Sequence, residues 1–256
     1  MGRAGLAIGG VALIVVGGAI GFGWLWPSTA EATATMESEI RDVEIDNGSG
    51  YVTVRAEDVE RATVRQVFRY RWDRPGDAYS VDGDTLVLGG CGGFCSVDYE
   101  LVVPRGTEVG GENGSGDITL TGVGAVDVHA GSGDVRVTGG SGPVDIDASS
   151  GHVRLSDLAQ DVTVRASSGD VTGEDLRGKV DVEASSGDIE LRLAVPRDVR
   201  ASASSGDIEL TMPSGAYRVE GSSDSGNRDI EVDQVSSAEH LLRLDSSSGD
   251  VTVEAA

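Results

Sequence analysis

The sequence predicts an all-β protein: a parallel β-helix, or solenoid, of about 18 residues per coil, with a β-rich N-terminal cap and one preceding transmembrane helix. Three observations predict the solenoid. A Ser-Gly-Asp turn followed by Val or Ile recurs at nearly constant spacing, strands of alternating apolar and polar residues flank it, and aromatic residues are almost absent from the repeated part. Aliphatic side chains stacked from coil to coil would therefore form a thin core.

The first element is the membrane segment. Residues 4–26 are uncharged and largely apolar, and at about 1.5 Å per residue they can span the roughly 30 Å hydrocarbon core. Arg3 precedes them, and Trp24 and Trp26 close them, as in a cytoplasmic positive flank and an outer aromatic belt. This pattern predicts a single-pass protein of the cell membrane with its C-terminal domain outside. The alternative is a signal peptide cleaved near Ala30.

These boundaries divide the chain into an anchor at 1–27, a linker at 28–38 and an extracytoplasmic domain at 39–256, with a capping insert at about 56–110. The 43 acidic against 20 basic residues give a net charge of -23, so nucleic acid is not an expected partner. The predicted partners are the membrane and another membrane or cell-wall component.

The insert breaks the repeat and holds most of the aromatic residues. Cys91 and Cys95 enclose Gly92-Gly93-Phe94, which can bend tightly, and we predict a disulfide between them, with a metal or redox pair as the alternative. Alternation over 62–72 predicts a strand with Val64, Phe68, Tyr70 and Trp72 on one face. Its other face carries Arg65, Arg69 and Arg71, which either pair with neighbouring carboxylates or, like Phe94, contact a partner.

The repeat itself occupies the rest of the chain. Its predicted turn residues are Gly116, Asp117, Gly133, Asp134, Gly151, Gly169, Asp170, Gly187, Asp188, Gly206, Asp207, Gly249 and Asp250. An early copy of the turn stands at Gly50 and an irregular copy at Gly226. We expect all copies from Gly116 onward to mark successive coils, because the steps between their glycines are close to 18 residues. Val128, Ile146, Val164 and Val182 should stack inside. The final strand, Val251 to Val253, would leave an open edge that could dock on a partner.

The turns admit two interpretations. In the first, each aspartate accepts hydrogen bonds from nearby backbone N–H groups in an Asx-type turn, and the preceding glycine takes a left-handed conformation. In the second, the stacked carboxylates bind calcium, although the sequence lacks the repeat series of known calcium solenoids. We favour the first interpretation and assign no metal site and no cofactor.

The repeated S-G-D-[VI] turns, and the Cys91 to Cys95 loop followed by VDYELVVPRG at 97–106, resemble the bacterial putative-adhesin β-helix family. That family is described as a domain of unknown function and includes LiaG-like membrane-anchored proteins. The resemblance covers about residues 40–256. It implies a right-handed parallel β-helix outside the membrane, with a role in adhesion or envelope-stress sensing.

Three function classes follow. The first is a non-catalytic, adhesin-like binding or surface module, and the second is an accessory or scaffold component of envelope-stress signalling. The third is a polysaccharide-active enzyme, which we disfavour because His129, His152 and His240 are scattered along the chain and no nucleophile has an evident base. No catalytic residue is assigned.

Overall fold

The structure, a computed structural model, describes residues 28–256, and all regular elements in this range are β-strands. The cap and first coil contain β1 (Ser28–Thr35), β2 (Asp42–Asn47), β3 (Val52–Glu57), β4 (Thr63–Tyr70), β5 (Tyr79–Asp82), β6 (Thr85–Gly89) and β7 (Cys95–Pro104). The first half of the repeat contains β8 (Glu108–Ser115), β9 (Ile118–Thr121), β10 (Val126–Ser132), β11 (Val135–Thr138), β12 (Val144–Ala148) and β13 (Val153–Ser156).

The second half of the repeat contains β14 (Val162–Ala166), β15 (Val171–Leu176), β16 (Val180–Ser186), β17 (Ile189–Leu193), β18 (Val199–Ser205) and β19 (Ile208–Met212). The C-terminal part contains β20 (Ala216–Glu220), β21 (Ser223–Ser225), β22 (Arg228–Ile230), β23 (Asp233–Gln234), β24 (Leu241–Ser248) and β25 (Val251–Ala255).

The predicted anchor over 1–27 lies outside the described residues. From residue 28 onward, no helix is long and apolar enough to cross a membrane. The segment 28–38, expected to be a linker, instead begins with β1, whose eight residues all pair with β4.

Two long sheets form the walls of the solenoid. The first sheet has the order β1, β4, β7, β3, β9, β11, β13, β15, β17, β19, β25, β22, and the second has the order β23, β20, β24, β18, β16, β14, β12, β10, β8, β2, β6, β5. Neighbouring strands are parallel except at β1 with β4, β4 with β7, and β5 with β6. The all-β architecture with parallel coils is therefore confirmed.

The core is a set of aliphatic columns that run between the sheets. Val128 pairs in register with Ile146, then Val164, then Val182, as predicted, and all four side chains are at most 2% exposed. A neighbouring row of buried alanines lies where each second-sheet strand approaches its turn, and it consists of Ala130, Ala148, Ala166, Ala184 and Ala203. Small side chains at these positions let the chain close the corner.

Both ends of the solenoid depart from sequence order. At the N-terminal end, the coil of β2 and β3 lies between the coil of β6 and β7 and that of β8 and β9. At the C-terminal end, the coil of β24 and β25 lies between that of β18 and β19 and the strands β20 to β22. The expectation that Gly206, Gly226 and Gly249 mark successive coils was wrong, because Gly249 stacks on Gly206 and Gly226 lies outside both.

This insertion also overturns the expected open edge at the C-terminus. Val251 pairs with Ile208 on one side and with Arg228 on the other, so β25 is an interior strand of the first sheet. Val251, Thr252 and Val253 are paired on both sides within the chain. These three residues therefore offer no edge to a partner.

Large side chains close the two ends of the core. Tyr99 and Tyr217 are both fully buried, and their hydroxyls bond to backbone carbonyls, 2.7 Å from that of Gly89 and 2.6 Å from that of Pro213. Trp72, expected on the same strand face as Val64 and Phe68, is 73% exposed because β4 ends at Tyr70. Gln66 fills an inward position of that strand instead and is completely buried.

Candidate functional site

The turn residues form one corner of the solenoid, where their glycines stack in a ladder. Gly116, Gly133, Gly151, Gly169, Gly187, Gly206 and Gly249 all have positive φ, between 114° and 150°. A Cβ atom on any of them would lie 2.1 to 2.4 Å from the carbonyl oxygen of the glycine below, which for Gly116 is Gly50. Both the backbone conformation and the close approach therefore demand glycine.

The aspartates of the turns form a parallel hydrogen-bonded ladder. Asp134 N–H donates to the Asp117 carboxylate at 2.9 Å, and Asp188 N–H donates to Asp170 at 3.1 Å. The bonds from Asp207 to Asp188 and from Asp250 to Asp207 have the same form. Each carboxylate thus binds a backbone N–H of the next coil, not one within its own turn as the Asx interpretation expected.

His152 replaces an aspartate in this ladder without breaking it. The Asp134 carboxylate accepts its backbone N–H at 2.9 Å, and its Nδ1 lies 3.1 Å from the backbone nitrogen of Asp170. Burial raises the pKa of Asp134, but the hydrogen bonds from His152 and from the Arg154 guanidinium outweigh it and hold that pKa below its ordinary value. The turn corner is therefore a structural ladder whose carboxylates are already engaged.

The three histidines are not brought together. Each lies beside an aspartate on the adjacent coil, with Nδ1 to carboxylate distances of 3.4 Å for His129 and Asp147, 3.2 Å for His152 and Asp170, and 3.6 Å for His240 and Asp198. Within residues 28–256, no group of three or more His, Cys, Asp or Glu side chains is placed to hold a metal ion. Each histidine thus has a neighbour on the adjacent coil, and the three do not form a common site.

Two of the three arginines in the predicted basic stripe are engaged inside the cap. Arg65 binds Glu100 at 2.8 Å and Glu31 at 3.0 Å, and hydrogen bonds to Glu31 and Glu100 raise its pKa. Arg69 forms a salt bridge with Asp98. Arg71 lies beyond the end of β4 and is exposed. The stripe is therefore not a continuous basic surface.

The disulfide loop lies at the same end of the cap as Arg71. Cys91 and Cys95 are joined by a disulfide, and Phe94 beside it is 73% exposed. Tyr70 pairs with Cys95 across β4 and β7, so the residues after Tyr70 adjoin the loop. The structure thus brings two predicted contact residues, Arg71 and Phe94, to one tip, and it adds Trp72 to them.

A second surface, not anticipated from the sequence, covers part of the outer face of the first sheet. Its outward residues form two rows across β3, β9, β11 and β13, and all eight are hydroxyl-bearing or basic. We call this set the threonine–arginine face, and it consists of Thr53, Arg55, Thr119, Thr121, Arg136, Thr138, Arg154 and Ser156.

Register keeps each row of the threonine–arginine face straight. Arg55 pairs with Thr121, Thr121 with Thr138, and Thr138 with Ser156, whose hydroxyls are 3.0 Å apart. No carboxylate occupies any of the eight positions, in a chain with a net charge of -23. The alternation of each post-turn strand already placed these residues outward, and tabulating the outward positions coil by coil would have revealed the face.

The outer face of the second sheet has the opposite character. Gly110 leaves a gap there, and a groove of about 700 Å³ surrounds it. Acidic side chains dominate its lining, among them Glu44, Glu112 and Asp127. This groove and the threonine–arginine face therefore present different chemistry to the surroundings.

Comparison with known proteins relates this architecture to adhesin-like domains. A family model described as Toastrack DUF4097 matches residues 35–254. A putative adhesin from Bacteroides fragilis NCTC 9343 is similar in structure, with a TM-score of 0.54 and 15% identity over 90% of this chain and 99% of that chain. At this identity the likeness concerns the fold alone.

Putative adhesins from two Parabacteroides species align less well. The protein from P. distasonis ATCC 8503 has a TM-score of 0.44 and 12% identity over 88% of this chain and 97% of its own. The protein from P. merdae ATCC 43184 has a TM-score of 0.40 and 12% identity over 89% of this chain and 96% of its own. No curated protein matches the chain.

Proposed function

Because the chain belongs to the Toastrack DUF4097 family, we propose that it is a non-catalytic binding module, held at the outer surface of the cell membrane by its N-terminal segment. Three features support this proposal. The uncharged segment over residues 4–26 suits an anchor, the Cys91–Cys95 disulfide suits an oxidising compartment, and the similar structure from B. fragilis is a putative adhesin.

The observation that carries the binding role is the threonine–arginine face. It is an array in which equivalent residues repeat at the strand spacing of about 4.8 Å, so it suits an extended, repetitive ligand better than a small molecule. Its outward guanidinium groups can bind carboxylate or phosphate groups in bidentate fashion, and its hydroxyls can donate to or accept from sugar or polyol hydroxyls.

The ligand class that fits this chemistry is a hydroxyl-rich polymer that carries anionic groups, such as a cell-wall polymer. Arg154 is partly neutralised by Asp134, at 2.5 Å, whereas Arg55 and Arg136 form no salt bridge with any described residue. We therefore assign the main anion contacts to Arg55 and Arg136. The acidic groove on the second sheet would repel the same polymer and so favour the threonine–arginine face.

Binding of the full chain, reconstituted in lipid vesicles, to three polymers tests this proposal: lipoteichoic acid, a carboxylated polysaccharide and neutral dextran. We expect binding to the two anionic polymers and a loss of about tenfold in affinity, about 1.4 kcal/mol, in the Arg55→Glu/Arg136→Glu variant. The matched control is Arg192→Glu/Arg197→Glu, which changes the charge equally at exposed positions outside the face.

Equal losses of affinity in both variants would show that binding depends only on net charge, and would contradict binding at the threonine–arginine face. Absence of polymer binding, together with recovery of one membrane protein on pull-down from native membranes, would favour the accessory role in envelope-stress signalling. Shortening of any polymer during incubation would favour an enzyme.

A further inference from the structure

The described chain begins at the tip of the cap. Ser28 is the first residue of β1 and pairs with Tyr70, the last residue of β4, and Tyr70 pairs in turn with Cys95, the first residue of β7. The three strands therefore end together, next to the disulfide loop. Whatever precedes Ser28 must join the molecule at this point.

This tip projects beyond the body of the solenoid. The adjacent corner before β3 reaches only as far as Val97, whose N–H donates to the Ser49 carbonyl at 3.2 Å, so Cys95 and Ser96 of β7 extend past it with the disulfide loop. At about 3.3 Å per residue, this overhang is roughly 7 Å. The tip can therefore touch a surface without the rest of the rod doing so.

The tip also carries the most exposed large apolar side chains of the described residues. Trp72 and Phe94 are each 73% exposed, and they follow Tyr70 and precede Cys95 closely in sequence. Two exposed aromatic side chains at one tip make it a candidate contact surface. Trp in particular favours the boundary between lipid and water, because its ring is apolar and its N–H needs a polar partner.

The charge of the tip differs from that of the whole molecule. Residues 89–96 contain no charged side chain. In the other segment of the tip, Arg71 precedes Trp72, and Asp73 and Arg74 follow it. Neither arginine forms a salt bridge with a residue in the range 28–256. The tip thus lacks the excess negative charge that would repel anionic headgroups from most of this protein.

We propose that Arg71, Trp72, Arg74 and Phe94, which we call the cap tip, rest on the lipid headgroup surface of the membrane that holds the chain. This inference rests on the proposed anchor. A span that ends at Trp26 leaves Ser28 within about 8 Å, because consecutive Cα atoms are 3.8 Å apart. Ser28 pairs with Tyr70 on the adjacent strand, and Trp72 follows Tyr70 by two residues. Trp72 therefore stays within about 12 Å of Ser28, whatever the tilt of the rod.

This contact explains the composition of the tip. Trp72 and Phe94 would bury their rings at the headgroup level, while Arg71 and Arg74 would reach phosphate groups and pack their alkyl stems beneath them. Together they would hold the cap against the membrane and limit the orientations of the rod. The threonine–arginine face would then meet its ligand at a restricted height above the lipid.

Tryptophan fluorescence in the full chain tests the proposal, because the chain has three tryptophans, at 24, 26 and 72. A Trp24→Phe/Trp26→Phe variant leaves Trp72 as the reporter, in phosphatidylcholine–phosphatidylglycerol vesicles that contain lipids brominated near the headgroup. We expect bromine to remove roughly half of the Trp72 emission, since interfacial aromatic residues lie at that depth.

The matched control moves the reporter to the far end of the rod. Val235 is 42% exposed in the C-terminal part, and Trp24→Phe/Trp26→Phe/Trp72→Phe/Val235→Trp should retain its emission in the same vesicles. A Phe94→Ala change in the Trp72 reporter should weaken the quenching. Equal quenching at both reporters would overturn the proposal, because it would place the whole rod on the lipid.

Flotation of the vesicles distinguishes a failure of the proposed anchor from a failure of the proposed cap-tip contact. Protein that floats with the vesicles but keeps unquenched Trp72 emission retains the anchor and overturns the cap-tip contact. Protein that does not float overturns the anchor, and with it the inference. Trp72 emission could also shift to the blue in vesicles yet remain unquenched by brominated lipid. That result would indicate that a second copy of the chain covers the tip, and it would overturn the proposed lipid contact.

Discussion

The middle of the solenoid and its two ends use the same coil but connect it differently. In the middle, the turn hydrogen bonds join aspartates 17 to 19 positions apart, so each coil stacks on its neighbour in sequence. At the C-terminal end the same bond joins Asp207 and Asp250 across 43 positions. At the N-terminal end Asn113 reaches Gly50 across 63 positions. Equivalent coils can therefore stack in an order that the sequence does not follow.

This difference has a physical benefit at the ends. A simple spiral would finish on a strand with an unpaired edge, which invites polymerisation. Here the last coil is enclosed, and the outermost strands at the C-terminal end, β22 and β23, have only three and two residues. Short edges present few free backbone groups. The longer loops that the ends must close cost entropy, which grows only slowly with loop length.

The largest predicted effect comes from a substitution in the core of the central coils. Val182 is completely buried and pairs with Val164 on one side and Ala201 on the other, so Val182→Asp places a carboxylate in an apolar column. We expect no folded protein, as judged by circular dichroism and soluble yield. Glu183→Asn at the adjacent exposed position should change stability by less than about 0.5 kcal/mol. Soluble Val182→Asp protein with unchanged melting would contradict the inward columns.

The next largest effect comes from a deletion at the C-terminal end of the solenoid. Deletion of residues 241–256 removes an interior coil whose Leu242, Leu244, Val251 and Val253 are all completely buried. We expect a loss of order 6 kcal/mol or more, from four aliphatic side chains at about 1.5 kcal/mol each. Hydrogen exchange should become fast over 213–236 while the central coils stay protected. Deletion of 255–256 alone is the control, and fast exchange confined to the last residues in both would contradict the inserted coil.

A smaller effect tests the ladder of the middle. Gly187→Ala combines a φ of 129° with a Cβ that would lie 2.3 Å from the carbonyl oxygen of Gly169, and we expect a cost of about 2–4 kcal/mol. Gly139 also has positive φ, 68°, but nothing lies within 4 Å of its Cβ position. Gly139→Ala should therefore cost only about 1–2 kcal/mol in thermal or urea unfolding. Equal costs would show that the close approach contributes nothing.

The smallest effect concerns one carboxylate of the same ladder. Since the pKa of Asp134 is lowered in the folded chain, its ionised form stabilises the fold above the unfolded pKa of about 3.9, and this contribution is lost as the pH falls through the folded value. Asp134→Asn should therefore reduce stability near neutral pH by less than about 1 kcal/mol, because solvent screens the partly exposed pair with Arg154. The difference should vanish in acid.

Urea unfolding of the wild type and this variant between pH 2 and 7 measures the effect, and the range brackets the ordinary carboxyl pKa of about 3.9. Asp117→Asn serves as the control, because Asp117 occupies an equivalent rung but has no arginine partner among the described residues. A difference between Asp134→Asn and the wild type that grows toward acid would contradict the assigned direction.

The sequence predicted the central coils well and the cap only in part. Strict alternation and a glycine at each turn leave one arrangement for residues such as Val128 and Ile146, because a shift by one position would expose every apolar side chain. In the cap, alternation predicted Val64 and Phe68 inside but extended the strand too far, to Trp72. Sequence spacing also could not show that Arg65 and Arg69 are engaged, since their partners Glu31, Glu100 and Asp98 come from other strands.

The sequence by itself thus determined the coil: its length, its inward aliphatic residues, its glycine corners and the outward positions of its polar residues. Only the tertiary structure decided which coil stacks on which at the ends, and that Arg71, Trp72 and Phe94 share one tip. The reason is that coil geometry depends on contacts repeated every 18 or so residues, whereas the order of equivalent coils depends on backbone pairing that is nearly the same for any of them. The pairings that set this order, of β24 with β18 and β20 and of β3 with β7 and β9, join strands far apart in the sequence, so no local pattern encodes them.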